Sequence, residues 1–241
     1  MGLFYSLGKA AGPKIRKGKW IWQSLTGSQA EAIAAEYDVG RDLAAEVERQ
    51  IHPDNDAETV RIIREIGSRL RERLREKRRK FTFAVIGGGE PNAFALPGGF
   101  IYITRSLLEL CEYDSDEIAF VLGHEMGHVI RGHAMERIVS DSAVKTISRA
   151  APVRGAVGGW IKRVGIQFLE SAYSQDRELD ADRLGARLSI AAGFSAKGPE
   201  RLLERLAKLE QTGRLSELSS YLSSHPPLSD RIRAIRSQQT Q

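Results

Sequence analysis

The sequence predicts an α+β fold that is mostly α-helical, with a small antiparallel sheet beside one central helix. Three observations carry this. Apolar residues recur at helical spacing through most of the 241 residues, the mark of helices that each bury one side. Only two stretches, 81–86 and 93–103, alternate or branch as strands do. The segment 115–133, SDEIAFVLGHEMGHVIRGH, reads as a capped helix carrying an unusual set of polar residues. With 41% hydrophobic and 28% charged residues, the composition is that of an ordinary globular protein.

In chain order, residues 1–27 are expected to be a basic, partly ordered segment ahead of a single domain over 28–241. Lys9, Lys14, Arg16, Lys17 and Lys19 stand beside Phe4, Tyr5, Trp20 and Trp22. That mixture, with a net charge of +5, would suit peripheral contact with an anionic membrane surface. A plain basic N-terminus explains it as well. A helix is expected over 28–51, capped by Ser28, and a second starting at Asp54 or Asp56 with Val60, Ile63, Ile66, Leu70 and Leu74 on one side. Its end, RLRERLREKRRK, holds eight basic and two acidic residues without interleaved aromatics. That favours a solvated helix face and no nucleic-acid partner.

FTFAVI (81–86) is the first strand, followed by the turn GGGEP. Pro97-Gly98-Gly99 then divides the next run into Ala93–Leu96 and Phe100–Ile103, joined by a turn. Thr104 caps a helix running to Cys111. A short strand just ahead of the central helix could offer its edge to an extended peptide; a purely structural hairpin fits equally.

In the central helix, Asp114 is the cap and Glu117 would complete a capping box. At about 100° per residue, His128 lies about 40° round from His124 and one turn along, so two imidazoles share a stripe. Glu125 sits about 60° from His128, beside a shared metal rather than on it. The spacing His-Glu-x-x-His on a helix is the zinc-peptidase signature. Ala119, Leu122, Met126, Val129 and Ile130 fall opposite the histidines, so one face should meet the core and the other a cleft. Gly123 and Gly127 share a third stripe that lets another backbone come close. His133, about 180° from His124 on a continuous helix, is placed on the back and excluded as a ligand.

Residues 134–172 read as two helices broken at 150–160, a lid, a plug or a connector. YSQDRELDADRLGARLSIAAG is a helix ending at Gly193, on which Glu178 and Asp182 lie one turn apart while Asp180 points elsewhere. A catalytic zinc needs a third protein ligand, for which Glu178 is the candidate, and Asp182 is placed to hold a ligating histidine. Acidic residues of a solvated helix are the plainer alternative. Pro199 and Gly213 bracket another helix, and His225 precedes Pro226-Pro227 in an extended loop before a terminal helix with Arg231. Both could reach the site; a surface loop histidine is the alternative. Cys111 alone gives no disulfide framework and should pack as a small apolar residue. No run approaches the roughly 20 apolar residues that span a bilayer, and no signal peptide is legible. The expected location is cytoplasmic or peripheral to the inner face of a membrane.

NAFALPGG, HEMGH with His133 following, YSQDRELDAD and SHPPLSDRI occur in one order over roughly residues 28–236. In this the chain resembles metallopeptidase family 48, the gluzincin group that includes HtpX-like proteases and CAAX prenyl proteases. The resemblance implies a gluzincin-type fold and a zinc metalloendopeptidase acting on protein or peptide substrates in quality control or processing. It implies one Zn2+ per chain bound by His124, His128 and Glu178, with Glu125 as catalytic base and Asp182 behind the ligands. Asn92 and Ala93 match the family's substrate-facing edge, and with Phe94 are the expected substrate-binding residues. His225 and Arg231 match its late His-Pro motif, which assists the transition state or occupies the zinc in a closed form. Lacking legible membrane spans, the chain looks more like soluble or peripheral members than like membrane-embedded prenyl proteases. Two alternatives stand beside this. One is a latent peptidase, its zinc capped by His225 or its cleft blocked by 134–172 until a partner acts. The other is a chaperone or binding module with structural zinc.

Overall fold

A computed structural model describes residues 28–88, 90–140, 173–211 and 228–239. The expectations for residues 1–27, for the break at 150–160 and for His225 fall outside them.

Local chemistry sets the first elements. Helix α1 (Gln29–Val47) begins where Ser28 accepts a hydrogen bond from the Glu31 amide and Glu31 accepts one from the Ser28 amide at 2.8 Å. Helix α2 (Ala57–Glu72) is capped by Asp56. Asp54, the other candidate, pairs instead with Arg105, 2.6 Å from its Nη2. Three strands follow: β1 (Thr82–Ile86), β2 (Ala93–Leu96) and β3 (Phe100–Thr104).

The sheet order is β1–β3–β2. β2 and β3 pair antiparallel across the Pro97–Gly99 turn, but β1 and β3 run parallel. The sheet is therefore mixed, correcting the antiparallel expectation. Two reversals, one after β1 and one at Pro97–Gly99, return β3 to the direction of β1. β3 takes the centre because its side chains are buried at four of five positions, which an edge strand does not need. Alternation then sorts the sheet into two faces. Phe83, Val85, Ala93, Ala95, Ile101 and Ile103 join the main core with Ile63, Ile66 and Leu70 of α2. Ala84, Ile86, Phe94, Leu96, Phe100 and Tyr102 meet Leu43, Ala44 and Val47 of α1.

Helix α3 (Arg105–Leu110) starts at Thr104, whose hydroxyl accepts from the Leu107 amide, and ends on buried Cys111. Helix α4 (Ser115–Ile130) is capped by Asp114, which accepts from the amides of Asp116 and Glu117 at 2.8 and 3.2 Å. The Glu117 carboxylate does not close a capping box. It accepts hydrogen bonds from Arg205 on α7 (Gly198–Gln211), tying the start of α4 to that helix. The chain leaves α4 through Gly132, at φ +75, into α5 (His133–Ser140). Helices α6 (Gln175–Ala191) and α8 (Leu228–Gln239) complete the described elements. No helix among the described residues is long and apolar enough to cross a membrane.

α4 is buried on every side from Glu117 to Val129. The expectation of one core face and one cleft face is thus corrected, because α6 packs over the histidine side. It does so backbone to backbone. A Cβ on Gly185 would stand 2.6 Å from the His124 nitrogen, and one on Gly123 would stand 2.9 Å from the Gly185 oxygen. Gly127 lies similarly against the backbone of Ala181. Because these neighbours are main-chain atoms, a methyl at Gly185 must push the helices apart. Gly185→Ala should cost about 1–3 kcal/mol, read as a lower urea midpoint of the metal-free chain. An unchanged midpoint would mean that the seam is loose.

Candidate metal centre

The seam between α4 and α6 brings three side chains to one point. His124 and His128, one turn apart on α4, place their Nε2 atoms 3.0 Å from each other. From α6, Glu178 sets Oε1 3.2 Å from His128 Nε2 and Oε2 3.5 Å from His124 Nε2. All three are buried, and among the described residues this is the one group of three or more His, Cys, Asp or Glu gathered closely enough to hold a metal ion. A tetrahedral ion with bonds of 2.0–2.1 Å would need ligand atoms about 3.3–3.4 Å apart. The observed separations, 3.0, 3.2 and 3.5 Å, bracket that value. Two imidazole nitrogens and a carboxylate oxygen are also the donor set of a catalytic zinc site, so the residues present fit the ion.

The support behind the ligands differs on the two sides. Asp182, one turn beyond Glu178, lies 2.8 Å from His124 Nδ1. Arg231 of α8 donates two hydrogen bonds to the Asp182 carboxylate, from Nε and Nη2, both 2.8 Å. Burial alone would raise the Asp182 pKa; the Arg231 charge and the His124 and Arg231 hydrogen bonds win and hold it well below the usual carboxylate range. Burial works against a charged His124, yet Asp182 and Glu178 outweigh it and raise its pKa. Asp180, on another face of α6, pairs with Arg131 at 2.7 Å.

On the other side, His133 is not on the back of α4. It turns in after Gly132, its Nδ1 lies 3.1 Å from His128 Nδ1, and its pKa is lowered, chiefly by burial. The expectation placed it on a continuous helix. A glycine two residues past Ile130, the usual helix-ending signal, could have located the turn. Tyr173 was missed altogether: its ring stacks on His128, centroids 3.9 Å apart and planes at 15°. It opens the YSQDRELDAD stretch, but helical geometry gave it no role.

Glu125 is buried between the two histidines in sequence, 2% exposed. Edge strand β2 packs on α4, and its Ala93 is buried. At its start the amide of Asn92 donates to the Thr104 hydroxyl, while Asn92 Oδ1 is buried with no hydrogen-bond partner among the described residues. Phe94 points to the opposite face, where its ring stacks on Tyr102 at 5.0 Å, so a substrate on this edge would meet its main chain. Arg231 is 1% exposed and aimed at Asp182, with Nη1 3.9 Å from Glu178.

Comparison with known proteins bears on the same residues. The family description that matches residues 57–239 is that of peptidase family M48. Mitochondrial metalloendopeptidase OMA1 of Schizosaccharomyces pombe is 32% identical over 157 residues, covering 65% of this chain and 46% of that protein. Metalloprotease LoiP of Escherichia coli is 31% identical over 160 residues, 64% of this chain and 61% of that one. The beta-barrel assembly-enhancing protease of Escherichia coli is 27% identical over 204 residues, 78% and 40%. The chain thus spans about half the length of the curated relatives it matches.

Breaking the pair behind His124 should be costly, since it leaves a carboxylate buried without its counter-charge. Arg231→Ala is expected to lose about 3–5 kcal/mol in urea unfolding of the metal-free chain. A loss under about 1 kcal/mol, the size of an exposed pair, would show that water reaches Asp182.

Proposed function

The chain belongs to peptidase family M48, and from that premise we propose that it is a zinc-dependent metalloendopeptidase hydrolysing peptide bonds of proteins in quality control or processing. The observation that carries the proposal is the buried triangle of His124, His128 and Glu178 with Glu125 on the same helix. One Zn2+ per chain in that triangle would polarise the scissile carbonyl and bring the pKa of water towards about 7.

The chain's own groups do the rest. Glu125 takes a proton from the attacking water as its oxygen bonds to the carbonyl carbon, then delivers that proton to the leaving nitrogen as the C–N bond breaks. Asp182 accepts a hydrogen bond from the Nδ1–H of His124, which turns the Nε2 lone pair towards the triangle. Arg231 acts through Asp182, keeping its carboxylate charged and oriented. Asn92 Oδ1 and the main chain of Ala93 and Phe94 would meet an extended substrate at the edge of β2. His225 remains the proposed aid to the transition state. Peripheral membrane contact through the basic residues of 1–27, and a place in the cytoplasm or at the inner face of a membrane, belong to the same proposal.

A latent form is the second reading, favoured by one observation. His124, Glu125, His128 and Glu178 are all at most 2% exposed, so a substrate carbonyl needs something to move before it can enter. His225 or the 134–172 segment is proposed to do the covering. His225→Ala would then raise a feeble activity; unchanged activity would count against it.

The main test separates metal binding from chemistry. Glu125→Gln should keep zinc, one per chain by elemental analysis, while kcat on casein falls by about 10²–10⁴. Cleavage at the wild-type rate would remove Glu125 from the base role.

A further inference from the structure

The two imidazoles of the triangle are steadied by unlike devices. Behind His124 stands a carboxylate. Behind His128 stands a second imidazole, His133, with Nδ1 3.1 Å from Nδ1, and across its face lies the Tyr173 ring at 3.9 Å. Both neighbours are 7% exposed.

These contacts constrain His128 in two directions. With its Nε2 lone pair aimed at the triangle, the single ring proton of neutral His128 sits on Nδ1 and needs an acceptor. His133 Nδ1 is placed to accept it, its own proton then lying on Nε2. That hydrogen bond stops rotation of the His128 ring within its plane. Stacking on Tyr173, at an interplanar angle of 15°, resists tilting out of the plane. His133 meets the ring from its edge, at 65°. Gly132 makes this possible: its φ of +75 turns the chain, and its surroundings are open, so conformation rather than space calls for glycine.

We propose that His133 and Tyr173 are positioning residues for His128, setting how tightly and in what geometry the metal is held. This rests on the metal centre argued above. Neither residue touches the reacting atoms; both act through a ligand, as partners behind metal-bound histidines do.

The test reads metal binding, not turnover. Zinc affinity is measured by competition with a chromophoric chelator, and geometry by the visible spectrum of the Co2+-loaded chain. His133→Phe, which fills the space without an acceptor, should weaken zinc about 10–100-fold and alter the Co2+ bands. His133→Asn, whose Oδ1 stands where Nδ1 stood, should return most of the affinity and the wild-type bands. Tyr173→Phe should match wild type and Tyr173→Leu should not. Wild-type affinity and spectrum in His133→Phe overturn the proposal. Equal losses in His133→Phe and His133→Asn also overturn it, leaving only packing. If His133→Phe does not fold, His133→Ala takes its place against His133→Asn. A wild-type chain that binds no zinc sinks the metal-centre reading itself, an outcome distinct from equal binding by wild type and variants.

Discussion

The distance between the backbones of α4 and α6 is the constraint on which the rest of the centre depends. Side chains on that seam would hold the helices apart, as they do in ordinary packing at 8–10 Å. Here Gly123, Gly127 and Gly185 supply none, and Ala181 only a methyl. Glu178 can therefore set its carboxylate within 3.2–3.5 Å of two imidazoles on the facing helix. Glycine inside a helix costs about 1 kcal/mol against alanine. The burial of α4 on every side offsets that cost.

Drawing charged groups into such a seam raises an electrostatic problem. Among the described residues, Glu125, Glu178 and Asp182 are buried here, together with the guanidinium of Arg231. An isolated buried carboxylate is too costly to keep ionised. Asp182 stays ionised because Arg231 grips it at two points and His124 donates to it. Charge, hydrogen bonding and ligand direction are thus one arrangement, anchored on α8, far along the chain from α4.

Much of the frame was legible because it is local. Ser28, Asp56, Thr104 and Asp114 cap the helices they precede, and Pro97-Gly98-Gly99 divides two strands at the positions its turn chemistry dictates. The spacing of His124 and His128 needed only helical geometry. Other features turned on competition between distant partners. Glu117 had a capping amide within reach but Arg205 took its carboxylate. Asp54 could have capped α2 but met Arg105. The antiparallel expectation failed because strand direction follows from which strand takes the centre, and burial on both faces decides that.

By itself, then, the sequence determined the helices, the turn, the two-histidine stripe and the small residues that permit a close crossing. Each depends on neighbours within a turn or two, where rotation per residue and hydrogen-bond reach are set by covalent geometry. The sequence offered Glu178 and Asp182 as candidates; only the tertiary structure set Glu178 against both imidazoles, locked Asp182 with Arg231, and closed His133 and Tyr173 on His128. Asp182 meets His124 and Arg231 from 58 and 49 residues away, whereas His133 is near His128 in the chain and reaches it only because Gly132 ends α4. The distant pairings exist because buried polar groups must find partners, and no local spacing rule encodes which ones arrive.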